Sequence, residues 1–330
     1  MPSGNAILSK RMGKYLPKAR KPVCRQAGES VIFSNQNTKE DNMIKIGTIV
    51  RGQGAPDLIR KLAPLGFECF QLNFWENIGG VDLPLLLRQV KEAADETGTE
   101  ISSAGVYGNA LEDQSTIDSI YHLLDNISVL GTDLFTGFAG RVSNRLVHES
   151  MPRFKEVWSG INQKAVDKGI RIAFENCEMG GNWHTGGWNI AFNPNAWEMI
   201  FNELNSDNIG LEWEPCHQMV QLIDPIPQLK KWVKKVFHVH GKDANIDWDV
   251  IKTHGIKGPF SWVWHRTPGF GDSNWTEIIT ILMMNGYKGT IDIEGFHDPI
   301  YKRELEYTGQ VSALKYLKTC RGGEKVIAFP

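Results

Sequence analysis

From Met43 onward the chain alternates, eight times over, between a short run rich in β-branched and aromatic residues and a longer amphipathic segment. That alternation constrains the fold more than any other feature. A strand followed by a crossover helix can pair with the next strand only in parallel. Predicted strands are Ile44 to Val50, Cys69 to Leu72, Glu100 to Val106, Val129 to Thr136, Ile170 to Asn176, Ile209 to Trp213, Val236 to His240 and Gly289 to Glu294. Predicted helices are Ala55 to Leu65, Asp82 to Thr97, Ser115 to Leu130, Arg153 to Lys168, Pro194 to Leu204, Pro225 to Val233, Asn274 to Asn285 and Tyr301 to Lys318. Gly66, Gly98, Gly169 and Gly286 each follow a helix and precede a strand, where a residue that tolerates positive φ ends the helix. Ser273 and Asn274 suit the N-cap of the segment from Trp275. Eight strand–helix units predict an α/β fold, a closed (β/α)8 TIM barrel.

Residues 1–42 do not join this pattern. They carry Lys10, Arg11, Lys14, Lys18, Arg20, Lys21 and Arg25 against three acidic residues, with weak periodicity. They read as a basic N-terminal extension or arm beside a barrel domain of 43–320 and a C-terminal tail of 321–330. With a formal charge of -2 over 330 residues, nothing calls for nucleic acid or an anionic membrane as partner. The absence of a long apolar run or a signal-peptide core leads to an expected cytoplasmic location. Cys24, Cys69, Cys177, Cys216 and Cys320 are odd in number and widely spaced, so reduced space-filling thiols are expected and a nucleophilic role for Cys177 or Cys216 is the minor alternative.

Four of the predicted strands end in groups that suit a divalent cation. These are Glu175, Glu214, His240 and Glu294, and a barrel brings all of its strand ends to one rim. A single glutamate at the end of an apolar run is ordinarily structural or solvated. Three glutamates and a histidine at separate strand ends are read together as ligands. Carboxylates with a single imidazole favour Mn²⁺, with Mg²⁺, Co²⁺ or Fe²⁺ as alternatives, over structural zinc. Glu212 competes with Glu214 for the ligand role, whereas Lys242 and Asp243 are placed outside it. His217, three residues after Glu214, and His184, in the Gly-rich loop 177–193, are candidate acids or bases or partners of a substrate hydroxyl. His238, taken to face away from His240 in a regular strand, is expected to pack on a helix or to support the ligands. Trp183 in that loop, and Trp262, Trp264 and Arg266 in the loop 244–273, are candidate contacts for a hydroxylated ring.

Ile172-Ala173-Phe174-Glu175-Asn176, Gly210-Leu211-Glu212-Trp213-Glu214-Pro215-Cys216-His217, His238-Val239-His240-Gly241-Lys242-Asp243 and Ile291-Asp292-Ile293-Glu294 together resemble the ligand strands of the xylose-isomerase-like barrel superfamily of sugar isomerases and epimerases. The resemblance runs from Met43 to about Cys320. It implies metal binding by Glu175, Glu214, His240 and Glu294, proton transfer by the Glu175–Glu294 pair, and substrate contacts from His217 and Arg266. Glu212 is a further candidate substrate contact. Glu214 departs from the Asp usual there. The resemblance also extends to the large subunits of C-glycoside deglycosidases, and a non-enzymatic sugar-binding subunit is a third reading. A small-molecule sugar or oxidised glycoside is the implied partner, in a homo-oligomer or with a small second subunit.

Overall fold

The computed structural model describes residues 43–324. The predicted arm, 1–42, and the end of the predicted tail, 325–330, lie outside the described residues. In chain order the elements are β1 Ile46–Arg51, α1 Ala55–Leu62, β2 Cys69–Trp75, α2 Leu83–Thr97, β3 Glu100–Tyr107, α3 Gln114–Asn126, β4 Leu134–Gly137, α4 Met151–Asp167, β5 Arg171–Glu175, α5 Pro194–Leu204 and β6 Ile209–Trp213. There follow α6 Cys216–Met219, α7 Pro225–Trp232, β7 Val236–Gly241, β8 Asp243–Ile246, α8 Trp248–His254, β9 Val263–Arg266, α9 Trp275–Met284, β10 Ile291–Ile293 and α10 Glu306–Cys320. Eight strands close into a barrel in the order β1-β10-β7-β6-β5-β4-β3-β2. Every pairing in it is parallel.

All eight predicted barrel strands are present. The one at Val129 to Thr136 is shorter than expected because Ile127 and Leu130 bury as a 3-10 extension of α3, and Gly131 ends it at φ 79°. Gly66, Gly98, Gly169 and Gly286 all adopt positive φ as predicted. Asp82, Asp113, Asn193, Asp224 and Asn274 each accept a backbone N–H of the first helical turn, supplying caps at the mouths of five helices. The expected long loop 244–273 is largely ordered: β8 and β9 form an antiparallel hairpin enclosing α8.

Helices pack on the outside of the strands through large aromatic anchors. Trp158 of α4 meets Phe174 of β5 edge-on at 4.6 Å, and its indole donates to the Ala139 carbonyl at 2.8 Å. Burying such a ring contributes about 2–3 kcal/mol, and its polar edge is satisfied. At the opposite end of the barrel from the strand C-termini, Arg321 is buried and donates to the Ile44 carbonyl and to both oxygens of Glu68. The residue that opens the predicted tail is therefore a clamp between the last helix and the first two strands.

Candidate metal centre

Side chains two apart on a strand share a face, and three barrel strands repeat ionisable residues at that spacing: Glu212 and Glu214, His238 and His240, Asp292 and Glu294. The result is two layers in the barrel interior. In the lower one, Glu212 accepts from the Gln71 amide at 2.5 Å, the Tyr107 hydroxyl at 2.7 Å and His238 Nδ1 at 2.8 Å, and it lies 3.0 Å from His240 Nε2. His238 Nε2 reaches Asp292 Oδ2 at 2.6 Å, and Thr290 donates to the same oxygen. With carboxylates on both ring nitrogens, the charged form of His238 is favoured. Burial opposes that charge, but the bonds from Asp292 and Glu212 outweigh it and raise the pKa. His238 thus points into the barrel on the same side as His240, not towards a helix, because the period of two leaves no other choice.

The upper layer holds the ligand candidates. His240 turns Nδ1 to Glu175 Oε1 at 3.2 Å and Glu294 Oε2 at 3.5 Å, while Glu212 and Gln71 fix its Nε2 from below. Among the described residues Glu175, His240 and Glu294 offer ligand atoms all within 4.8 Å of one another. Burial works against a charged His240, yet Glu212 and Glu175 outweigh it and lift its pKa well above the ordinary value. Glu175 and Glu294, which face Nδ1, would hold a divalent cation there in place of a proton. Glu294 Oε2 and Glu214 Oε2 are buried without any hydrogen-bond partner. Leaving such atoms unsatisfied costs about 1–3 kcal/mol each, so the residues fit a hard divalent ion. Glu214 stands slightly apart, with Oε1 2.8 Å from His217 Nε2. The strand ends that carry these groups are pinned: Asn176 exchanges bonds with the Glu214 backbone, and Asn189 donates to the Glu175 and Cys177 carbonyls.

Beside the ligand group lies a second cluster. His217 Nδ1 contacts Glu178 Oε2 at 2.5 Å. Burial tends to raise the Glu178 pKa, but the charge and hydrogen bond of His217 prevail and lower it to about 2. Lys242, 2 % exposed, places Nζ 2.8 Å from Glu294 Oε1 and 3.4 Å from His217 Nε2. All these groups open on a cavity of about 520 Å³ whose walls include Asn73, Trp75, Phe138, His265, Phe296 and His297. Cys177 lines it too, but burial lifts its thiol pKa, and that of Cys216, well above the usual value, as expected for inert thiols.

The structure gathers Glu175, His240, Glu294 and His217 at this cavity and leaves other predicted contacts outside it. Glu212 lies beneath the metal group and is closed off by its four donors. Trp183 packs against the hydrophobic core, and the neighbouring His184 is exposed. Trp262 donates to the Ile256 carbonyl, and Trp264 stands on the outer hairpin. Arg266 is taken up by Asp298 and Asn245. In each case the reason is the hairpin or the turn, which carries the side chain away from the rim. Reasoning from sequence missed Glu178 and placed Lys242 outside the centre. Their signals were the Glu-x-x-Glu spacing after β5 and the His-x-Lys spacing after β7. Asp243, by contrast, accepts from the Ala244 and Ser273 amides and the Trp275 indole and braces the corner before α9.

The family described as Xylose isomerase-like TIM barrel matches residues 59–319. Among curated proteins, the chain is 26% identical over 170 residues to the uncharacterized protein YfiH of Bacillus subtilis, covering 48% of this chain and 50% of that one. It is 31% identical over 176 residues to inosose dehydratase of Clostridium perfringens, covering 50% and 54%. The chain thus spans about half the length of the curated relatives it matches. Among solved structures, 3-keto-D-glucoside 4-epimerase YcjR of E. coli superposes with a TM-score of 0.63 at 17% identity, over 84% of this chain and 100% of that one, a likeness of fold. No helix among the described residues is long and apolar enough to cross a membrane.

Proposed function

We infer that this chain, which belongs to the xylose-isomerase-like TIM-barrel family, is a divalent-cation-dependent enzyme that moves a proton beside the carbonyl of a sugar, as an isomerase or epimerase. One observation carries the reading: Glu175 and Glu294 converge on His240 Nδ1, and all three line a cavity large enough for a sugar ring. The ligands are assigned as Glu175, His240 and Glu294, with Glu214 beside them, and Mn²⁺ as the first choice of ion for this donor set. Bound there, the ion polarises the carbonyl and stabilises charge on its oxygen.

The chain's own groups do the remaining work. Glu175 and Glu294 are two carboxylates on different strands, one to take the proton from carbon and the other to return it to the enediolate-like intermediate. His217, oriented by Glu178, holds a substrate hydroxyl. Trp75 and Phe138 cover the apolar face of the ring and exclude water. A second reading rests on the aromatic mouth, where Trp75 lies 5.5 Å from Trp188 and 6.2 Å from Phe138. The same proton abstraction followed by loss of a group from the adjacent carbon would make the chain a lyase. A flat aglycone, as in a 3-oxo-C-glycoside, fits that wall, and the inosose dehydratase relatives also eliminate by name.

The test is metal analysis combined with proton exchange in D₂O on free sugars, 3-oxo sugars and a 3-oxo-C-glycoside. Mn²⁺-dependent C–H exchange, lost in Glu294→Gln and Glu175→Gln, is expected, and the product separates epimerisation from elimination. Protein that binds no divalent ion and exchanges no proton after Mn²⁺ is added would leave a sugar-binding subunit as the better account.

A further inference from the structure

Glu294 turns its two carboxylate oxygens to two different places. Oε2 faces His240 Nδ1 at 3.5 Å and is otherwise unpartnered, whereas Oε1 accepts from Lys242 Nζ at 2.8 Å. A carboxylate shared in this way is the bridging group of a two-cation centre, in which paired ions sit about 3.5–4 Å apart and clamp neighbouring oxygens. The surroundings of Lys242 support the comparison. Its ammonium is 3.4 Å from His217 Nε2, the atom that Glu214 Oε1 approaches at 2.8 Å, and Glu178 holds the other ring nitrogen. Cys177, Glu178 and His217 form a second group of cation donors next to the first. Glu214 is fully buried, and its Oε2 has no partner. Glu294 therefore meets the ammonium directly, and Glu178 and Glu214 reach it through His217.

We propose that Lys242 is the built-in second cation of this centre. One divalent ion would be held by Glu175, His240 and Glu294, and the ammonium stands on Glu294 Oε1 where a second ion would otherwise bind. The centre takes one metal ion and still presents two positive charges to adjacent oxygens of the substrate. The proposal rests on the metal-dependent reading above and concerns only how many ions the site accepts.

Metal-free full chain is titrated with Mn²⁺ by calorimetry, with stoichiometry read by native mass spectrometry and coupling between ions by electron paramagnetic resonance. The expected counts are one ion per chain for the wild type and for Lys242→Arg. Two are expected for Lys242→Met and Lys242→Gln, the second ion weaker and magnetically coupled to the first. Two ions in the wild type, or one in both neutral variants, would overturn the proposal while leaving the metal reading in place. No ion in the wild type would overturn both. Lys242→Gln keeps a polar end at this buried position if the methionine variant fails to fold, and a coupled spectrum from saturated wild type refutes the idea without any variant.

Discussion

Replacing Glu212 by Gln tests whether the lower layer of the barrel governs the upper one. The substitution keeps the shape and can keep the contacts. An amide oxygen in place of Oε1 still accepts from Gln71, His238 and His240, and the amide nitrogen can face Tyr107, whose hydroxyl has Thr136 Oγ1 as an alternative acceptor at 2.9 Å. What is lost is the negative charge. Two charge-assisted bonds become neutral ones, a difference of about 1 kcal/mol each. The bond to His240 Nε2 sets which nitrogen is free for the ion, so a fall in Mn²⁺ affinity of about 10–100-fold is expected, or about 1.4–2.7 kcal/mol. The metal-free protein carries a second signature. Because the His238 and His240 pKa values are raised in the fold, their stabilisation is complete below the ordinary value of 6.5 and is lost as pH rises through the folded values. In Glu212→Gln that alkaline decline becomes shallower. Calorimetry with Mn²⁺ and urea unfolding across pH measure both. An affinity change of less than about 3-fold in a folded variant would refute the claim that this layer orients His240.

Arg321→Ala should cost about 2 kcal/mol in urea unfolding, because it leaves Glu68 and the Ile44 carbonyl without their buried donor. Burial tends to raise the Glu68 pKa, but the bond and charge of Arg321, the Ile46 amide and the charge of Lys318 together outweigh it and lower the value in the fold. The stabilisation is therefore complete above 4.5 and is lost as pH falls through the depressed value, so the acid limb of the stability curve should flatten in the variant. Gly47→Ala should yield little folded protein, since a Cβ there collides with Asp292 Oδ1 and the Cys69 carbonyl, neither of which can retreat from the barrel wall; wild-type expression and Tm would contradict this. His184→Ala and Trp264→Ala, both outside the cavity, should leave Mn²⁺ affinity and KM within about twofold, and a larger loss would return those loops to the site.

The barrel was legible because each strand–helix unit announces itself locally. β-branched runs, caps such as Asp82 and Asn274, and glycines at left-handed positions act within a few residues of their signal. The convergence of Glu175, His240 and Glu294 was legible for a related reason: strand ends are defined by the same local pattern, and the barrel supplies convergence. What sequence reasoning could not supply was depth. Glu212 and Glu214 share a face, as do His238 and His240, and only the closure of the barrel decides that the first of each pair is buried beneath the second. The Trp-rich loop failed for the opposite reason. Its aromatic residues suggested a substrate wall, but a local hairpin between β8 and β9 turns Trp264 outward and commits Arg266 to Asp298. The wall that lines the cavity comes instead from Trp75, Phe138 and Phe296, at the ends of β2, β4 and β10. Strand ends therefore built both the polar floor and the aromatic wall. In a barrel of this kind, distance from a strand end locates a side chain in the site better than the chemical type of the loop that carries it.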